Sequence, residues 1–213
     1  MLTSKGWCGV VTKEGQDGPV YAFEEEYALL SAQMRNLHIS RISEMPRIEL
    51  YLDQVLSIVS GELGFMYTPD EKIVTGAMVN NYVKQRIVPA PTRKRYTRRH
   101  LASLLFVCAF KRVLSISQIG ELFSLAVRLD VDVERAYDAI ASLFECAISD
   151  LFPSDPNASP KHQDEGFALV DSQGNRLSGE LERLLENAVF LLAYTVYVDR
   201  MLALETRVAF GEE

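Results

Sequence analysis

Four polar side chains, Asn80, Asn81, Lys84 and Gln85, fall on successive turns of one predicted helix. Asn and Gln can bond an adenine edge through paired hydrogen bonds, and Lys can serve guanine or a phosphate. Arg86 follows directly, and the stretch over residues 88–96 carries Arg93, Lys94, Arg95 and Tyr96. Pro89 and Pro91 make that stretch extended, because proline cannot continue a helix and biases its predecessor away from helical geometry. An extended basic run is the form that lies along a phosphate backbone or groove. Thr97, Arg98 and Arg99 then stand at the next helix start, where free backbone N–H groups favour phosphate. Thr75 heads the first helix as its N-cap. Thr75, Asn80, Asn81, Lys84, Gln85, Arg86, Arg93, Lys94, Arg95, Tyr96, Arg98 and Arg99 are therefore the candidate DNA-binding residues. Tyr96 has two readings, packed inward or hydrogen-bonded to a phosphate.

The charge distribution sharpens this. The 213-residue chain has a net charge of −7, which alone weighs against nucleic acid. Between Ile73 and Gly120, however, lie nine basic residues and no Asp or Glu. They are Lys84, Arg86, Arg93, Lys94, Arg95, Arg98, Arg99, Lys111 and Arg112. The rest of the chain holds the other 13 of the 22 basic residues and all 29 acidic ones. Such asymmetry points to a confined anion-binding surface on an otherwise acidic protein. A basic run by itself is most often only a solvated face. The order of helix, prolines, basic turn and capped helix carries the nucleic-acid reading.

Other chemistries find less support. Cys8, Cys108 and Cys146 are far apart and form no Cys-x-x-Cys pair, so no zinc knuckle or thioredoxin-type motif is available. Cys108 and Cys146 read as small buried hydrophobes. His38, His100 and His162 are isolated, and no metal or cofactor is expected. Paired carboxylates, a nucleophile with its base, and a Gly-rich phosphate loop are all missing as local motifs, so an enzyme is the least expected class. No apolar run reaches the roughly 18–20 residues of a membrane span. The longest, over 188–198, is interrupted only by Thr195. Residues 1–10 lack the charged start and apolar core of a secretion signal, and the expected location is cytoplasmic.

The elements that must hold these residues are helical. Apolar spacing of three and four predicts helices over 20–37, 48–59 and 74–87. Thr97 caps a fourth, and Ser115 with Gln118 forms a capping box for a short fifth through Phe123. Asp132 caps a sixth to Leu151, whose apolar stripe is the strongest in the chain. Residues 153–166 read as a polar loop, and 168–170 with Gly174 as a short strand and turn. A last helix runs from Ser178 to about Arg207, and its apolar middle predicts burial on every side.

Residues 78–123 resemble the MerR-type winged helix-turn-helix. The matching parts are Asn80-Asn81-Tyr82, Ile87-Val88-Pro89-Ala90-Pro91, Arg93 to Tyr96, Thr97 to Lys111, and Ser115 to Phe123. The whole combination is closer still to an uncharacterised bacterial family, domain of unknown function eighteen thirty-six, in which a role is inferred rather than established. MerR-type proteins usually carry Arg-Tyr where this chain has Asn80-Asn81, and Gly where it has Arg86. The wing is short, and the loop between the first two helices is longer than usual.

The expected fold is mainly α, a MerR-like winged helix-turn-helix core with additional N- and C-terminal helices. Residues 1–45 form an N-terminal extension with one helix, 46–126 the DNA-binding domain, and 127–213 a C-terminal helical region. The expected function is a DNA-binding transcriptional regulator with recognition helix 75–86 and basic wing 88–99. Its partners would be double-stranded DNA and a second copy of the chain, joined through the apolar stripes over 136–151 and 181–204. The alternative is a protein-interaction module that keeps the winged helix as scaffold and meets an acidic protein surface.

Overall fold

The computed structural model describes residues 19–68, 70–155, 158, 167–177 and 179–210. Cys8, Pro69, His162, the expected helix start at Ser178 and most of the loop over 153–166 lie outside the described residues. Helices dominate: α1 (Pro19–Arg35), α2 (Leu52–Leu63), α3 (Gly76–Lys84), α4 (Arg98–Phe110), α5 (Ile116–Arg128), α6 (Val133–Leu151) and α7 (Glu180–Phe210). A single 3-10 turn, Gly64–Met66, extends α2. Strands β1 (Leu169–Val170) and β2 (Arg176–Leu177) pair antiparallel, and Gly174 takes the left-handed φ of +86° that their turn requires.

Helix α4 is the centre of the molecule. Every residue from His100 to Phe110 except Phe106 is buried, because Leu, Val, Ala and Phe occupy most positions after its first turn and leave that part no polar face. It packs against α2, α5, α6 and α7. Helices α6 and α7 form the most extensive helix pair, and α1 packs on both. One continuous apolar core runs from Met34 on α1 to Val196 on α7. Cys108 is fully buried within it, and burial pushes its thiol up to about 11, which suits a packing role. Cys146 is only half-buried.

The expected caps of the later helices are present. Ser115 accepts from the Gln118 N–H at 3.2 Å while the Gln118 side chain accepts from the Ser115 N–H at 2.8 Å. Asp132 accepts from the N–H groups of Glu134 and Arg135. The helix Ser115 opens continues to Arg128, past the expected Phe123.

Two further expectations change. Helix α2 begins at Leu52 rather than Ile48. Leu50 instead pairs with Tyr96 as an isolated antiparallel bridge, which holds this stretch extended, and Ile48 is left 70% exposed. Helix α7 is not buried all round. Val189, Leu192, Ala193 and Val196 are inside, while Leu184, Leu191, Tyr194, Val198 and Leu202 are 41–60% exposed. A helix that packs on α6 and α1 from the outside can bury only one of its sides. By length and composition alone α7 is long and apolar enough to cross a membrane.

The segment between α1 and α2 is tied down by carboxylates. Glu145 on α6 accepts from the Ile39 N–H at 2.6 Å and pairs with the Arg41 guanidinium at 2.5 Å. Asp138 accepts from the Ile42 N–H, and Glu62 on α2 accepts from both the N–H and the hydroxyl of Ser40. The Arg41 and Glu145 side chains are each about one-fifth exposed. Removing one partner therefore strands a charge and a backbone donor together. Glu145→Ala is expected to lower unfolding free energy by about 2 kcal/mol, measured by urea denaturation, and a loss indistinguishable from zero would show the anchor to be idle.

Candidate nucleic-acid interface

Helix α3 is oriented by its cap and its buried side. Thr75 accepts from the Met78 N–H at 3.2 Å, as a Thr N-cap should. Val79 and Tyr82 are buried, at 0% and 4% exposure, and burial pushes the Tyr82 phenol up to about 12. With those two fixed inward, Asn80, Asn81, Lys84 and Gln85 are left exposed. Their spacing places them as neighbours on one side of the helix.

Helix α3 stops at Lys84, short of the expected Ile87 and before either proline. Arg86 adopts a left-handed φ of +61°. Its N–H donates to the Val83 carbonyl at 3.0 Å, and the Ile87 N–H donates to that of Tyr82 at 2.9 Å. This is the Schellman arrangement, whose left-handed residue is usually Gly. Ile87 is buried beneath the turn.

The wing is a minimal hairpin. Thr92 and Arg95 form an isolated antiparallel bridge, and the Arg95 N–H donates to the Thr92 carbonyl at 2.9 Å. Between them Arg93 and Lys94 have φ of +52° and +63°. Two successive left-handed residues make a type I′ turn, which matches the twist of a hairpin and favours Asn-Gly. Here both places carry exposed cations. Behind the tip, Tyr96 and Leu50 exchange backbone hydrogen bonds at 2.8 and 2.9 Å. Tyr96 takes the inward of its two readings: it is 4% exposed and stands edge-on to His100. Arg95 lies over the ring of Tyr51, 3.6 Å from the centroid, and donates to its hydroxyl.

At the start of α4, His100 Nδ1 accepts from the Thr97 N–H at 3.1 Å and completes a capping box. Arg98 is half-buried and shares a shallow pocket with Arg47 and Ile48. Arg99 is exposed but engaged: it donates to Glu134 on α6 at 2.6 Å, and that bond raises the guanidinium pKa. The nine basic residues thus divide by role. Lys111 donates to the Ile73 carbonyl. Arg112 stacks on Tyr67 and pairs with Asp199 and Glu71. These two hold the fold. Lys84, Arg86, Arg93, Lys94, Arg95 and Arg98 make no ion pair with another described residue.

Arg47 and Tyr51 join this surface although sequence spacing did not select them. The Leu50–Tyr96 pairing brings them beside the wing, and no local pattern reports a pairing between segments so far apart in the chain.

Residues 40–140 match the profile of a family described as a domain of unknown function (DUF1836). No curated protein and no solved structure matches the chain.

Non-glycine residues in the left-handed region carry strain of roughly 1 kcal/mol or more each. Arg86→Gly and Lys94→Gly are each expected to raise unfolding free energy by about 0.5–1 kcal/mol. Urea denaturation of the two variants checks this, and destabilisation of both would contradict the backbone assignment.

Proposed function

We propose that this protein is a DNA-binding transcriptional regulator built on a MerR-like winged helix-turn-helix. Helices α2 and α3 form the helix-turn-helix, the hairpin over 92–95 is its wing, and α4 closes it. The observation that carries this reading is the placing of cations at strained backbone positions. Three of the four left-handed non-glycine residues, among those described, are Arg86, Arg93 and Lys94. All three are exposed, Arg86 directly after α3 and Arg93 with Lys94 at the hairpin tip that follows. Strain of this kind persists where function needs the side chain. Asn80, Asn81, Lys84 and Gln85 read or position base edges, and Arg86, Arg93, Lys94, Arg95 and Arg98 hold phosphates. Thr75 acts through its cap, and Arg99 through its ion pair with Glu134 at the rim.

A mobility-shift series on random duplex DNA across salt concentrations tests this. Binding at low salt should weaken linearly in log–log form. Arg93→Ala with Arg95→Ala should flatten the slope by about 0.9 for each phosphate contact removed. Absence of binding at low salt, or a double variant that binds like the parent, leaves the scaffold reading, in which the patch meets an acidic protein.

The exposed apolar residues of α7 supply the second part of the proposal, a homodimer that presents two copies of α3 to a two-fold site. Leu184, Leu191, Tyr194, Val198 and Leu202 recur at spacings of seven, three, four and four, close to a coiled-coil seam. Several charges along this helix are matched within the chain: Arg183 with Glu180, Asp199 with Arg112, and Arg207 with Glu26. Sedimentation is expected to give a dimer for the parent and a folded monomer for Leu191→Glu with Tyr194→Glu. A parent that sediments as a monomer at all concentrations contradicts the dimer.

A further inference from the structure

A small cavity and a large cleft meet where α4, α5, α6 and α7 converge. The cavity, about 60 Å³, is walled by Phe106, Leu122, Ala126, Ile140, Leu181 and Leu185, among others. Its lining is almost wholly apolar. The one phenol there, Tyr137, already donates to the Ser40 carbonyl at 3.0 Å. Apart from the Ser103 hydroxyl it offers water no free polar partner, and an unfilled apolar void forfeits packing energy. The cleft, about 1260 Å³, runs from the C-terminal end of α3 across α5 to the start of α6. Ser103, Phe123, Val131 and Val133 line both spaces, so the apolar cavity and the cleft are immediate neighbours.

The cleft is cationic. Lys84, Arg86, Arg99 and Arg128 border it, against Asp132 and Glu134. Both carboxylates are committed. Glu134 pairs with Arg99, and Asp132 caps α6 and pairs with Arg135. Lys84, Arg86 and Arg128 have no acidic partner among the described residues. An apolar void next to uncompensated cations is the complement of a molecule with an apolar tail and a negative head.

We propose that cavity and cleft form one binding site for a small amphipathic anion. A short hydrocarbon tail enters between Phe106, Ala126 and Leu185, and a carboxylate or phosphate head is held by Arg128 with Lys84 and Arg86. The tail touches α7 through Leu181 and Leu185, and α5 through Leu122 and Ala126. The ligand therefore bridges the C-terminal helices and the basic segment.

Calorimetric titration of the full chain without DNA tests this, and its result is independent of the DNA-binding reading. The probes are hexanoate, hexyl phosphate, hexanol, inorganic phosphate and butanoate. At least one of hexanoate and hexyl phosphate should bind saturably at one site, and the better of the two identifies the head. Hexanol and inorganic phosphate should each bind at least tenfold more weakly. Butanoate should lose roughly fourfold for each methylene removed, from about 0.8 kcal/mol per buried methylene. Arg128→Gln, at an exposed position, should bring the acid down to the affinity of the alcohol. Ala126→Leu, which fills the cavity, should abolish the dependence on tail length. Equal affinity for hexanoate and hexanol overturns the proposal, as does inorganic phosphate binding as tightly as the tailed acids. Absence of saturable binding by either tailed acid, or an Arg128→Gln variant that binds like the parent, overturns it as well.

Discussion

Leu50 and Tyr96 each donate one backbone hydrogen bond to the other and accept one in return, and the basic surface is hung from that pairing. Helices α2 and α4 each start two residues after Leu50 and Tyr96 respectively, so the pairing sets the distance between the two helix starts. The chain from α2 through the wing is closed into a loop by it. It also brings Tyr51 under Arg95 and Arg47 beside Arg98. Burial of Tyr96 against His100 protects the two bonds from water, where each would be worth little. His100 in turn caps α4, so one side chain joins the sheet-like pairing to the central helix.

From that anchor the chain reverses direction twice at left-handed backbone positions. At Arg86 it leaves α3 and turns Ile87 into the core; at Arg93 and Lys94 it forms the hairpin tip. In both places glycine or asparagine would satisfy the backbone with less strain. Long cations stand there instead, projecting away from a turn whose geometry is held from both sides. The strain is offset by the packed residues on either side, Tyr82, Ile87, Val88 and Tyr96, all buried.

The C-terminal helix is tied to the same frame. Arg200 on α7 donates to the carbonyls of Phe65 and Tyr67 at the 3-10 turn that ends α2. Burial, and then the neighbouring Arg112, lower its pKa. Arg112 itself bridges from the end of α4 to Asp199 on α7. Two arginines thus connect α7 to the turn between α2 and α3 and to the C-terminal end of α4.

Local chemistry made much of this legible from sequence. Thr75, Thr97, Ser115 and Asp132 cap the helices they were expected to cap, because a cap depends on residues within one turn. The apolar spacing of α1, α3 and α6 set their inward sides for the same reason, and Gly174 marked the β-turn. What only the tertiary structure decided was anything that depends on distant partners. Helix α2 lost its first turn because Leu50 pairs with Tyr96. Arg99, Lys111 and Arg112 were drawn off the basic patch by Glu134, the Ile73 carbonyl and Asp199. The outer side of α7 stayed exposed because α6 and α1 cover only the other. Charge and hydrophobicity are properties of a residue and can be read one at a time. Whether a cation is free, or an apolar side covered, depends on which neighbour the fold brings to it.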